Sequence, residues 1–265
     1  MNIERPVEHC AVFGISTSIN EAGGITYNAL LSMQHRGQEG AGIAVLSPDG
    51  KLLYHKGLGL VSEVFDEIDK LPKAHIAIGH VRYSTTGSDV CANVQPFVAE
   101  YLTGRIAAAH NGNVTNAKEL REQLTGRGVN FSATSDSEVV SSLIGYFCVT
   151  TGDPVQSVKR AAAMLEGAFC LVVLTGDGKL IAVRDAHGYR PLCIGENEFG
   201  MCVASESCGA ECSGFNFKRN IAPGEIVVIR EGKEIYSEVF LSPKDSRAGM
   251  CVFEFVYFAR TDSVI

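Results

Sequence analysis

Short apolar strings separated by turn residues run through this chain and predict a largely antiparallel β architecture. Ala41–Leu46 and Leu52–Lys56 flank Pro48-Asp49-Gly50, in which proline presets φ and glycine accepts a left-handed backbone, so the pair predicts a hairpin. Cys170–Leu174 and Leu180–Arg184 flank Gly176-Asp177-Gly178, and Phe97–Leu102 and Ile106–His110 flank Thr103-Gly104, in the same way. Val12–Ser16, His75–Tyr83, Met201–Ala204, Ile226–Arg230 and Glu234–Phe240 read as further strands. Consecutive hairpins favour a meander or sandwich over a doubly wound parallel sheet.

Helical spacing of apolar residues occurs in four places. Ile25–Gln34 leads into His35-Arg36-Gly37-Gln38, and Asn116–Leu124 begins with Asn116 and Glu119 at capping-box spacing and stops at Gly126. Ser135 and Glu138 repeat that spacing ahead of Val139, Val140, Leu143, Ile144 and Phe147. Pro154 suits a first helical turn, with Val155, Val158, Ala162 and Leu165 on one face. The pattern predicts an α+β fold with one domain to about residue 240. Beyond it, Cys251–Ala259 is a dense apolar-aromatic run with Glu254 as its single charge. A run of that kind needs a surface to pack on, which leads us to expect a segment of a larger protein.

Composition narrows the function. The 265 residues carry a net charge of −7, which disfavours nucleic acid and anionic membrane as partners. The longest apolar run, Ala168 to Leu174, is far below the ~18 residues of a membrane span. Met1–His9 holds Glu4, Arg5 and Glu8 and no apolar core, so no secretory signal is read and a cytoplasmic location is expected. Nine cysteines without a C-x-x-C pair read as free thiols rather than as a disulfide framework or a self-contained zinc site.

Several polar strings at strand or helix ends carry candidate chemistry, each with a plainer structural alternative. Cys10 precedes Val12-Phe13-Gly14 and reads either as a semi-buried thiol or as a nucleophile exposed by loss of Met1–His9. In the second case its own α-amine, with a reference pKa of about 7.7–8.0, could act as the base. Arg82, where a strand runs into Ser84-Thr85-Thr86-Gly87, is a solvated strand end or a bidentate carboxylate clamp. Asn111-Gly112 is a type I′ turn or a pair of oxyanion donors. Asp136 answers the helix dipole or a substrate ammonium, and Arg36 is a helix-end charge or a site-shaping group. Together the set suits an amino-acid amide: Arg82 on the α-carboxylate, Asp136 on the α-ammonium and Cys10 at the side-chain carbonyl. Glutamine is the obvious substrate.

The strings Cys10-Ala11-Val12-Phe13-Gly14, Gln34-His35-Arg36-Gly37-Gln38-Glu39, Gly79-His80-Val81-Arg82-Tyr83, Ala109-His110-Asn111-Gly112 and Thr134-Ser135-Asp136-Ser137-Glu138 resemble those of class II glutamine amidotransferases. Arg184-Asp185, Arg190-Pro191-Leu192 and Ala204-Ser205-Glu206-Ser207 fit the same family, and Phe253–Arg260 with Asp262-Ser263 is similar to the join of its phosphoribosyltransferase-linked branch. The resemblance implies an N-terminal nucleophile (Ntn) hydrolase fold, an αββα four-layer sandwich of two antiparallel sheets between helices. It implies a propeptide at 1–9, a glutaminase domain at 10–240, and a linker with the start of a phosphoribosyltransferase domain at 241–265. By the same resemblance, Cys10, Asn111 and Gly112 are catalytic, Arg82 and Asp136 hold glutamine, Arg36 shapes the site, and Thr85 and Gly87 line the pocket. The glutaminase half needs no cofactor. Phosphoribosyl pyrophosphate and Mg2+ belong to the absent synthase domain, whose pyrophosphate-binding loop does not occur in this chain. Some members carry a [4Fe–4S] cluster, and Cys251 is similar to one of its ligands. The full enzyme is expected to be a homo-oligomer. Alternatives are the glutaminase half of another class II synthase and a catalytically silent, unprocessed regulatory module.

Overall fold

The computed structural model describes residues 10–66, 71–83, 91–102, 104–243 and 249–264. In chain order the elements begin with β1 (Ala11–Thr17), α1 (Ala22–Ser32), β2 (Gly40–Leu46), β3 (Leu52–Leu58), α2 (Val61–Val64) and β4 (Ile76–Arg82). There follow β5 (Phe97–Tyr101), β6 (Gly104–Val114), α3 (Ala117–Thr125), α4 (Asp136–Thr151), α5 (Pro154–Met164), β7 (Gly167–Thr175) and β8 (Lys179–Arg184). The chain continues through β9 (Cys193–Asn197), β10 (Gly200–Ala204), α6 (Ser207–Glu211), β11 (Asn216–Asn220), β12 (Glu225–Arg230) and β13 (Lys233–Val239).

Among the described residues the strands form two antiparallel sheets, in the orders β11-β9-β10-β1-β4-β2-β3 and β13-β12-β8-β7-β6-β5. Three apolar layers separate the elements. Val12 and Ile78 of the first sheet meet Val172 and Leu180 of the second. Phe13 and Ile15 pack with Leu30 of α1 and Met33 at its C-terminal cap, while Leu171 and Val173 pack with Val139, Leu143 and Ile144 of α4. Both faces of β1 are therefore covered, which is why its sequence reads as a nearly continuous apolar run rather than an alternating one. The expected sandwich of two sheets between helices is the fold observed. No helix is long and apolar enough to cross a membrane.

Local details depart from expectation where a tertiary partner outbids a local one. Asn116 precedes α3 without capping it: its side chain donates to the Met164 carbonyl (2.9 Å) and accepts from the Glu166 amide (3.1 Å), tying α3 to the start of β7. Ser135 does cap α4, accepting from Ser137 N (3.1 Å), but Glu138 turns to the Ser132 and Ala133 amides instead of closing a box. Asn111-Gly112 is neither a turn nor a strand end, because β6 continues to Val114 in register with β7. The two short strands β9 and β11 and the single-turn α6 had no expectation attached. The Cys251–Ala259 run forms a π-type turn over Glu254–Phe258. It buries Glu254 and Phe258 and leaves Val252, Phe255, Val256 and Tyr257 more than half exposed.

Candidate functional site

Register between β1 and β4 sets the first half of the site. Ala11 lies opposite Val81 and Val12 opposite His80, so Cys10 falls beside Arg82 at the end of β4. Gly37 makes room for that strand end: a Cβ there would sit 2.7 Å from the Arg82 carbonyl carbon. Arg82 is 5% exposed, which overturns the solvated strand end, and its Nη1 has no hydrogen-bond partner among the described residues. A buried guanidinium N–H without an acceptor is costly, and such groups are normally satisfied. This Nη1 N–H is a buried donor with the chemistry to hold an anion.

The second half comes from the other sheet and α4. Gly112 has φ of 148°, and a Cβ there would collide with the Ala168 carbonyl, so only glycine fits. Alternation along β6 turns the His110, Gly112 and Val114 amides to the edge that β5 no longer covers. His110 N–H donates to Gln95 Oε1 (2.7 Å) and Val114 N–H to Asp136 Oδ2 (3.0 Å), which leaves the Gly112 N–H between them on the same open edge. The Asn111 amide lies 3.5 Å from Ser205 Oγ, which itself accepts from Val12 N (2.9 Å). Ser205 thus joins the oxyanion candidate to the strand that carries Cys10. Asp136, in the first turn of α4, also accepts from the Ser137 hydroxyl (3.2 Å).

Burial pushes the Cys10 thiol up to about 11, and a hydrogen bond with the Tyr83 backbone opposes this; as a thiol, Sγ donates to the Tyr83 carbonyl at 3.6 Å. The Asp136 carboxylate raises it further, while the Arg82 and Arg36 guanidinium groups lower it. Three of the groups expected from sequence therefore act on this sulfur, although they come from separate parts of the chain. With His9 still attached, the thiol is protonated at neutral pH and needs a base.

Arg36, expected to shape the site, meets the backbone of Cys10 and two buried carboxylates. Its guanidinium donates from Nε to the Cys10 carbonyl (3.1 Å), from Nη1 to Glu206 (2.6 Å), and from both Nη atoms to Glu254 (3.0 Å each). Arg190 Nη1 adds a second cation to Glu254 (3.0 Å), and His35 Nε2 reaches Glu206 (3.0 Å). Burial opposes ionisation of Glu206, yet His35 and Arg36 hold it well below the ordinary carboxylate range. Burial likewise opposes the Arg36 charge, and Glu254 and Glu206 raise its pKa. Sequence reasoning missed Ser205, Glu206 and Glu254. The signal for the last was available, since one charge inside an aromatic run requires a buried partner.

The expected sites at Met1–His9, Thr85 and Gly87 lie outside the described residues. Cys251 is half-buried, and among the described residues no group of three or more His, Cys, Asp or Glu side chains could hold a metal ion. Those residues do not fit a [4Fe–4S] cluster or a Mg2+ site. All nine cysteines are free.

Comparison with known proteins points to the same chemistry. A glutamine amidotransferase domain family matches residues 80–209. The chain is 41% identical over 258 residues to an amidophosphoribosyltransferase from Archaeoglobus fulgidus, covering 97% of this chain and 55% of that protein. It is 44% identical over 266 residues to the chloroplastic amidophosphoribosyltransferase 1 of Arabidopsis thaliana, covering 99% of this chain and 45% of the relative. Among solved structures, the glutamine phosphoribosylpyrophosphate amidotransferase of B. subtilis, complexed with ADP and GMP, superposes with a TM-score of 0.85. It is 39% identical, over 97% of this chain and 54% of that one. A structure described as the allosteric regulatory enzyme of purine biosynthesis superposes at 0.86 with 40% identity, again over 97% of this chain and 54% of that one. The chain spans about half the length of the relatives it matches. Over residues 80–209 the chain therefore carries a match to the glutamine amidotransferase domain family, and its fold is that of the two superposed structures.

Proposed function

We propose that this chain is the glutaminase part of an amidophosphoribosyltransferase. It hydrolyses glutamine at Cys10 and supplies the ammonia that converts phosphoribosyl pyrophosphate to phosphoribosylamine, the first committed step of purine synthesis. In this reading Met1–His9 is a propeptide, residues 10–240 are the glutaminase domain, and residues 241–265 lead into the synthase domain. The observation that carries it is the buried Arg82 guanidinium, unpartnered at Nη1 among the described residues and electrostatically coupled, like Asp136, to the Cys10 sulfur. The free state of all nine cysteines favours a reducing, cytoplasmic setting.

Glutamine is held with its α-carboxylate on Arg82 and its α-ammonium on Asp136, which brings its side-chain amide to Cys10. Removal of residues 1–9 gives Cys10 a free α-amine whose pKa of about 7.7–8.0 makes it a competent base near neutrality. The amine takes the thiol proton as Sγ attacks the amide carbon, and the carbonyl oxygen becomes an oxyanion facing Asn111 Nδ2 and the Gly112 N–H. The same proton passes to the leaving nitrogen, the C–N bond breaks, and ammonia departs from a γ-glutamyl thioester. Water, deprotonated by the amine, attacks that thioester; the C–S bond breaks, glutamate leaves and the thiol is restored. Cys10→Ala in the processed protein is expected to release no glutamate from glutamine while keeping the wild-type circular dichroism. Glutamate release by that variant would overturn the assignment.

A further inference from the structure

We propose that Gln95 is a positioning residue that sets the spacing between the two halves of the glutaminase site. This rests on the glutaminase reading above. Cys10 and Arg82 belong to one sheet, Asn111 and Gly112 to the other, and Asp136 to the helix lying on that second sheet. The strands that carry these groups meet across an apolar layer, which resists separation but does not specify distance or register to a fraction of an ångström.

Gln95 is buried and spans that layer with directed bonds. Its Oε1 accepts from the His110 amide (2.7 Å), and its Nε2 donates to the His110 carbonyl (3.0 Å), so the side chain replaces the strand neighbour that β6 loses where β5 ends. The second Nε2 hydrogen points at His80 Nε2 of β4 (3.0 Å). The bond pattern fixes the amide orientation: an N–H of His110 requires the oxygen, so the nitrogen faces His80. His80 must then present a lone pair at Nε2. Burial pushes its imidazole down to about 3, so it remains neutral and able to do so at working pH. One side chain thereby joins the residue two before Arg82 to the residue immediately before Asn111.

The segment around Gln95 is itself anchored to the same parts. A Cβ at Gly42 would collide with the Gln95 carbonyl, so β2 lets this backbone approach the sheet directly. Lys56 Nζ donates to Val94 O (2.5 Å) and Pro96 O (3.4 Å), on either side of Gln95. Asn93 Oδ1 accepts from Thr134 N (3.0 Å), just ahead of the Ser135 cap that presents Asp136. His110 Nδ1 lies 3.1 Å from Ser137 Oγ in the same turn. Residues 93–95 therefore tie the clamp strand, the oxyanion strand and the Asp136 helix together without occupying the position of a substrate.

The test uses the processed protein. Gln95→Ala is expected to lower kcat for glutamate release about a hundredfold, the scale of a small misalignment of reacting groups. Alkylation of Cys10 by iodoacetamide, which requires no oxyanion donors, is expected to proceed at the wild-type rate. Hydrogen exchange at the His110 amide should accelerate in the variant. If kcat is unchanged, or if kcat and alkylation fall in parallel, Gln95 is a structural residue only and the proposal fails. Should the alanine variant not fold, Gln95→Glu decides. Its activity relative to wild type should rise as pH falls from about 8 to about 6, because a proton on the carboxyl or on His80 restores the bridging bond. A flat ratio would refute the proposal. If the wild-type protein releases no glutamate, the glutaminase reading falls by itself, while the exchange rate at His110 still reports whether Gln95 clamps β6.

Discussion

Two buried arginines act on Cys10, and their surroundings differ in kind. Arg36 is enclosed by Glu206, Glu254 and the Cys10 carbonyl, and the two carboxylates are supplied from 170 and 218 residues away along the chain. Arg82 is as well buried but keeps an Nη1 without an acceptor among the described residues. Both read identically in sequence, as an arginine ending a regular element. The saturated guanidinium holds the backbone of the nucleophile, whereas the unsaturated one holds back a donor for something that arrives. Counting acceptors, rather than measuring burial, separates structural from binding charge here.

The contrast breaks most visibly at Arg36. Arg36→Ala leaves Glu206 and Glu254 in the interior without their shared cation and is expected to destabilise the fold by about 3–5 kcal/mol. In a chain of this size the thermal midpoint should fall by roughly 10 °C or more, read by scanning calorimetry. A midpoint close to wild type would mean that Arg190 and His35 neutralise the cluster unaided. Arg82→Ala should behave in the opposite way. Losing a charge-assisted contact to the substrate carboxylate is expected to cost about 2–3 kcal/mol of transition-state stabilisation, a fall of roughly 30- to 160-fold in kcat/KM for glutamine. The thermal midpoint should hold or rise, since an unsatisfied buried donor leaves with the side chain. A large loss of stability with unchanged kcat/KM would reverse the two assignments.

Acid sharpens the comparison with a smaller effect. Glu206 has its folded pKa depressed below the ordinary 4.5, so its pairing stabilises the fold fully above that value and loses this effect as pH falls below it toward the folded value. The stability gap between wild type and Glu206→Gln, measured by urea unfolding, should therefore narrow between about pH 6 and about pH 3. A gap constant over that range would show that the carboxylate acts through packing rather than charge.

Much of the architecture was legible because turn chemistry is local. Asp49-Gly50 and Asp177-Gly178 mark hairpins whose strands pair as expected, and Ser135 and Pro154 mark the starts of α4 and α5. The strand β11 was not legible: Asn-Phe-Lys-Arg-Asn carries one apolar residue, and its strand character comes from pairing with β9 at a sheet edge. Candidate chemistry was legible as residue types, and Arg82 and Asp136 both act electrostatically on the Cys10 sulfur. Their supports were not, because Ser205, Gln95 and Glu254 acquire meaning only from contacts made across the chain. A polar residue in an apolar context announces that it needs a partner without saying which one. Asn116 shows the converse: its spacing promised a local cap, and a distant turn claimed the side chain instead.

Whether the liberated amine and sulfur of Cys10 work as one unit is open to a direct test by intact-mass spectrometry after exposure to an electrophilic glutamine analogue. The account predicts one adduct, on a chain that begins at Cys10, suppressed by excess glutamine and absent from chains that retain Met1–His9. Equal labelling of chains that keep those nine residues, or an adduct on the exposed Cys91 or Cys212 in place of Cys10, would contradict it.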